Sequence, residues 1–167
     1  MDVYTFIILL HIVGTVLGAG GATIAEVQIH KALRDGKVTA DEGALLHSNY
    51  FLIRVGTGFI LLSVLAMAWY HWHYDSLSML LGTKVIFKEF LVVIIIANAV
   101  AISNRWVPLW LGAAVSFTSW WAATILGVAG PISVNFLTFL FGYVVAVGIV
   151  AVVLQSIKRL FAPKSQV

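Results

Sequence analysis

Five long, mainly apolar runs, at residues 3–26, 45–70, 80–103, 107–128 and 134–154, make up most of this 167-residue chain. About 20 such residues in a helix cross the roughly 30 Å hydrocarbon core of a bilayer. In lipid every backbone N–H and C=O must be paired internally, which leaves helices and closed barrels. The runs are too long and too continuous for alternating barrel strands of about ten residues. The chain is therefore expected to be all-α. It reads as a polytopic membrane bundle of five transmembrane helices forming one domain over residues 1–161, with a short cytoplasmic tail at 162–167.

Composition removes several function classes. Charged residues are 10% of the chain, against about 25% in ordinary soluble domains. Ten Lys and Arg scattered among apolar runs form no basic groove for nucleic acid. With no cysteine, disulfides, thiolate metal sites and covalent haem attachment are out of reach. No Ser-His-Asp set or paired carboxylates stand out. Gly18 to Gly21 lie inside an apolar run with no strand before them, so they lack the setting of a dinucleotide loop.

The basic residues set the expected orientation. Lys31, Arg34 and Lys37 fall between runs one and two, Arg105 between three and four, and Lys158, Arg159 and Lys164 after five. The other connections, around His71 to Ser78 and Ala129 to Ser133, have no Lys or Arg. Positive loops stay inside, so the amino terminus is expected outside and the carboxyl terminus in the cytoplasm, in a bacterial inner membrane. Met1-Asp2-Val3-Tyr4 lacks a basic signal region, so the first run is expected to remain as a helix. Trp69, Tyr70, Trp72, Tyr74, Trp106 and Trp110 read as interfacial anchors. Gly36, Thr39, Asp41 and Glu42 mark a polar loop and cap before helix two; Pro108 opens helix four, and Gly130-Pro131 separates four from five.

Ionisable groups inside the runs point to chemistry, because each costs about 2.5 to 3.5 kcal/mol at a helix centre. They are His11, Glu26, His47, Arg54, Lys84, Lys88 and Glu89. His11, Lys84 and Lys88 share the outer leaflet on this topology, with His11 about 12 Å in at 1.5 Å per residue. A neutral imidazole in an apolar helix is what haem or copper requires of a ligand. A buried lysine can lose its proton and ligate iron, or stay charged and pair with a propionate. Glu26, His47 and Arg54 form an inner layer in which Arg54 is expected to pair with Glu26. His47 is open between a second axial ligand and a solvated interfacial histidine, and His30 reads as solvated. His71 and His73 are a candidate copper-capture pair, although histidines two apart on a helix diverge.

Small residues, Gly14, Gly18, Ala19, Gly20, Gly21 and Ala22 in run one with Gly56 and Gly58 in run two, allow either close helix packing or room for a flat macrocycle. Ser116, Thr118, Ser119 and Thr124 are expected to bond to backbone carbonyls of their own helix, and Asn98 to lock two helices together.

Leu10-His11-Ile12, the small-residue stretch, a basic loop, a Gly-interrupted second helix and a Lys-led third helix resemble the HemJ-type protoporphyrinogen oxidases and the CopD-like small membrane proteins. The resemblance covers about Thr5 to Arg105. It implies a b-type haem held by His11 and by a third-helix lysine, Lys84 or Lys88. The function expected is a membrane-embedded haem b protein, acting as a redox protein or porphyrinogen oxidase, with a quinone or porphyrin as substrate and Arg54 on its anionic group. Copper handling through His11, His71, His73 and Met67 or Met79 is the alternative, as is a non-catalytic membrane subunit; homo-oligomerisation is left open.

Overall fold

The computed structural model describes residues 2–32, 39–74, 77–130 and 132–161. Arg34, Gly36, Lys37, Pro131 and the tail at 162–167 lie outside the described residues, as do the side chains of His30, Met79, Lys158 and Arg159. Helices α1 (Val3–Ala32), α2 (Ala40–His73), α3 (Thr83–Ser103), α4 (Leu109–Val128) and α5 (Phe136–Phe161) follow in order, with a 3-10 turn at Leu77–Leu80 before α3. All five are long and apolar enough to cross a membrane, and no strand occurs among the described residues. The chain is a helical membrane protein.

Local chemistry sets the helix ends. The α2 helix starts five residues before its apolar run because Thr39 and Glu42 form a capping box: the Glu42 N–H donates to Thr39 Oγ1 at 3.3 Å, and the Thr39 N–H donates to Glu42 Oε2 at 2.9 Å. Two orphan donors are thereby satisfied. Its 34 residues rise about 51 Å at 1.5 Å per residue, so α2 projects beyond the hydrocarbon core. Pro108 sits at the N-cap of α4, one residue earlier than the first helical position. Asn135 starts α5, its Oδ1 accepting from the Thr138 N–H at 2.8 Å. At the end of α3, Trp106 N–H donates to Ala101 O at 2.9 Å and Arg105 N–H to Ile102 O at 3.0 Å. This is a Schellman closure with Arg105 at φ 58° where glycine is usual.

The α1 and α2 helices pack along each other through paired glycines. A Cβ on Gly14 would lie 2.9 Å from Gly56 O, and one on Gly56 2.8 Å from Gly14 O. Only glycine permits that backbone approach. Asn49 Nδ2 then donates to Gly21 O at 2.9 Å. The α3 and α4 helices form a second pair, closed by Asn98 Nδ2 donating to Gly112 O at 2.8 Å; the expected helix lock is present. The pairs meet where α1 crosses α4. There Trp120 lies over Gly18, and Trp121 Nε1 donates to Thr23 Oγ1 at 3.0 Å. Ala19, Ala22, Ile60, Ile95 and Trp120 form the core of this junction.

The α5 helix lies outside, on α4 and α3. Phe87 stacks on Phe139 at 5.2 Å and meets Phe136 edge-on at 5.4 Å, while Tyr143 and Ser119 share a hydrogen bond of 2.8 Å. Ser119 donates to Val115 O and Thr124 to Trp120 O, as expected of hydroxyls in an apolar helix. Thr118 departs from that pattern, its buried Oγ1 having no hydrogen-bond partner. The outer surface is apolar: Val16, Leu65, Phe141 and Val152 are all well over half exposed. Trp69, Trp72, Tyr74 and Trp106 are exposed at helix ends.

Candidate functional site

Four helices line a partly open cavity of about 40 Å³ on the amino-terminal half of α1. Helical spacing turns its lining inward: His11 and Thr15 on α1, Thr57, Ile60 and Val64 on α2, Lys88, Val92 and Ile95 on α3, and Trp120 and Ala123 on α4 recur at intervals of three or four. Glu89 joins the wall beside Lys88. An internal water needs roughly 10–15 Å³ of such space, so the cavity has the volume of about three waters. Histidine, lysine and glutamate therefore meet at a small, mainly apolar cavity inside the bundle.

The histidine is held in one tautomer. His11 Nδ1 lies 3.0 Å from Ser63 Oγ, and that hydroxyl donates its single proton to Ile60 O at 2.8 Å. Ser63 must accept from Nδ1–H, which leaves Nε2 carrying the lone pair. Ser63 is completely buried, so water does not compete for this bond. The Thr15 and Thr57 hydroxyls donate to carbonyls of their own helices, His11 O and Ile53 O, at 2.9 Å each. They present only acceptor lone pairs to the cavity. Trp120 is 2% exposed, and its buried Nε1–H has no hydrogen-bond partner. An unmet buried donor costs about 1–3 kcal/mol.

The two lysines of α3 part company. Lys88 lines the cavity. Lys84, one turn earlier, donates to Ala129 O and, at 3.3 Å, to Gly130 O, and so caps the carbonyl end of α4. Arg54 is exposed, with its guanidinium 4.8 Å from the centroid of Tyr50 on the same helix. His47 is exposed near the start of α2. Of the five expected site residues, His11 and Lys88 come together, and Lys84, Arg54 and His47 lie elsewhere. Glu26 is buried on α1, away from the cavity lining.

Sequence reasoning missed Ser63, Glu89 and Trp120 as members of the site. Glu89 carried a signal, being an ionisable group in an apolar run. A lone serine and one tryptophan among six carry none. The two histidines at the end of α2 diverge: His71 is buried with Nε2 3.5 Å from Tyr4 Oη, and His73 is exposed and stacked on Trp69 at 5.5 Å. Among the described residues no three His, Asp or Glu side chains group as a metal site.

A haem matches the donors here but not the room. His11 Nε2 and Lys88 are suitable ligands on facing helices. The small-residue notches, however, are already filled: Gly14 by the α2 backbone and Gly18 by the Trp120 ring. A cavity for about three waters does not admit a porphyrin with the helices packed in this way. No protein-family model, curated protein or solved structure matches the chain.

Proposed function

We propose that the protein transfers protons at this chamber within the membrane, with His11 as the group that takes up and releases the proton. The observation that supports this reading most is the Ser63 bond to His11 Nδ1, which leaves Nε2 to act as a base at a cavity of water size that Lys88 and Glu89 also line. A proton arriving on water binds Nε2 to give imidazolium and then leaves to a water, so the ring cycles unchanged. Lys88 and Glu89 from α3 are the charged groups facing it; α2 contributes Thr57 and Ser63, and α4 contributes Trp120. Ionisable side chains inside a bundle are the usual material of intramembrane proton relays.

In this reading the protein sits in a bacterial inner membrane with its amino terminus outside. Support for that orientation comes from the sequence, in which Lys and Arg fall between the first and second runs, between the third and fourth and after the fifth. The chamber then lies toward the outer leaflet. The test is purified protein in vesicles holding a pH dye, driven by a potassium potential. Proton entry above protein-free vesicles, lost in His11→Ala and Lys88→Met, is expected. Wild-type vesicles no leakier than empty ones overturn the proposal.

The fixed tautomer of His11 also favours a second reading, in which His11 and Lys88 would hold a haem b and a quinone or porphyrin would be the redox partner. This requires the α1–α2 and α3–α4 pairs to part around the ligand. Its test is the oxidised and dithionite-reduced absorption spectrum with a pyridine haemochrome assay. A b-type spectrum absent from His11→Ala supports it, and a colourless protein after expression with ample haem overturns it.

A further inference from the structure

The cavity opens where the fold leaves a gap. The α1–α2 and α3–α4 pairs meet through α1 and α4, whereas α2 and α3 barely touch. All four helices line the cavity, so its open side is the one between α2 and α3. The lining there is apolar, with Ile60 and Val64 on α2 and Val92 on α3. Successive residues turn about 100° around a helix, and the next ones outward, Leu61, Leu65 and Val93, are all exposed. An apolar path therefore runs from the cavity to the lipid-facing surface.

Two charged groups border this space without partners. Neighbours in sequence diverge on a helix, and among the described residues neither Lys88 nor Glu89 makes a hydrogen bond or an ion pair. His11 adds the Nε2 lone pair that its bond to Ser63 leaves free. A mainly apolar pocket with a few convergent polar groups is the usual form of a small-molecule site. A volume of about three waters suits a carboxyl group, whose hydrocarbon tail would leave by the gap. Its O–H can donate to Nε2, and its carboxylate can accept from the Lys88 ammonium.

We infer that the gap between α2 and α3 admits a long-chain carboxylic acid from the lipid, its head at Lys88 and His11 and its tail along Leu61, Leu65 and Val93. This deepens the proton-transfer reading and rests on it for one step, in which the acid hands its proton to His11. The acid O–H bond breaks, its electron pair stays on oxygen, an N–H bond forms at Nε2, and the carboxylate pairs with Lys88. The site is neutral before the transfer, with Lys88 and Glu89 opposed. It stays neutral afterwards, with one imidazolium and one carboxylate added. No net charge is created in apolar surroundings, where an unpaired ion is costly.

The experiment adds palmitic acid, 13C-labelled at its carboxyl, to 15N-lysine-labelled protein in lipid nanodiscs and reads 13C–15N dipolar contacts. Saturable binding with the carboxyl carbon beside one lysine Nζ is expected, kept in Lys84→Met and lost in Lys88→Met. Lys88→Met should weaken binding by about tenfold or more, as loss of a charged hydrogen bond does, and Lys88→Arg should restore it. If Lys88→Met does not fold, the wild-type contact and the failure of methyl palmitate to compete carry the test. Absence of saturable binding, or competition by the ester equal to that of the acid, overturns the inference. So does a Lys88 held by an acidic side chain of a second copy in mixed-label samples.

A second readout isolates the proton step. The 15N signal of His11 Nε2 should change from bare to protonated as palmitic acid binds, and an Nε2 that stays bare beside bound acid overturns that step. Wild-type vesicles without proton flux would count against the proposed function alone and leave the bound acid in place.

Discussion

Trp120 of α4 occupies the space that a side chain on Gly18 of α1 would need. One glycine and one indole thus join the two helix pairs, and the notch in α1 is a socket for protein, not for a macrocycle. Because Trp120 is 2% exposed, its ring has nowhere to retreat. Gly18→Ala should destabilise the bundle by about 1–3 kcal/mol through overpacking. Gly20→Ala, two residues on and with nothing within 4 Å of the added carbon, should be neutral. Unfolding of both variants in mixed micelles, followed by circular dichroism, checks the contrast.

Ser63→Ala should act on His11 before it acts on the fold. It strips Nδ1–H of its acceptor in a buried site, at a cost of about 1–3 kcal/mol. The ring is then free to exchange tautomers. In wild type the 15N spectrum of His11 should show an unprotonated Nε2 and a protonated Nδ1. In Ser63→Ala the two signals should average, and vesicle proton flux should fall.

Lys84 and Lys88 should separate cleanly under the same substitution. Lys84→Met removes the cap on Ala129 and Gly130, and should lower stability by about 1 kcal/mol while leaving proton flux in place. Lys88→Met should leave a folded protein without flux. Thermal unfolding and the vesicle assay, run on both variants, decide the assignment.

Arg105 holds a left-handed backbone at the end of α3. A side chain in that region costs roughly 1–2 kcal/mol, and glycine is its usual occupant. Arg105→Gly should therefore raise stability by up to about 1 kcal/mol. The removed positive charge should also weaken the orientation signal of that loop, which protease accessibility in oriented vesicles measures.

Asp2 lies ahead of the first span and starts α1, with Oδ1 accepting from the Thr5 N–H at 2.7 Å. Hydrogen bonds from the Thr5 side chain and backbone hold its carboxyl below the ordinary aspartate value. A depressed value means that the folded state favours the carboxylate. Its contribution is present above the ordinary pKa of 3.8 and is lost as pH falls through the lowered one. A 13C titration should place Asp2 below 3.8, and Asp2→Ala should abolish that acid-side loss of helix-end order.

The amino-acid sequence determined the class of this protein, because apolar runs of spanning length have few other folds open to them. The Thr39 cap, the Asn98 lock and the presence of His11 and Lys88 as costly groups in lipid were equally legible, since each depends on residues near in sequence or on a local energetic penalty. Boundaries were less so: α1 and α2 run past their apolar windows because backbone hydrogen bonding continues into polar sequence. Tertiary structure alone decided which lysine faces His11, since Lys84 and Lys88 share a helix face and differ only in what α4 and the cavity place opposite them. It also decided that Ser63 fixes the imidazole, that Trp120 fills the Gly18 notch, and that Arg54 and His47 lie outside the chamber. These are relations between helices, and a side chain's partner across a bundle depends on crossing and register, which no spacing along one helix encodes.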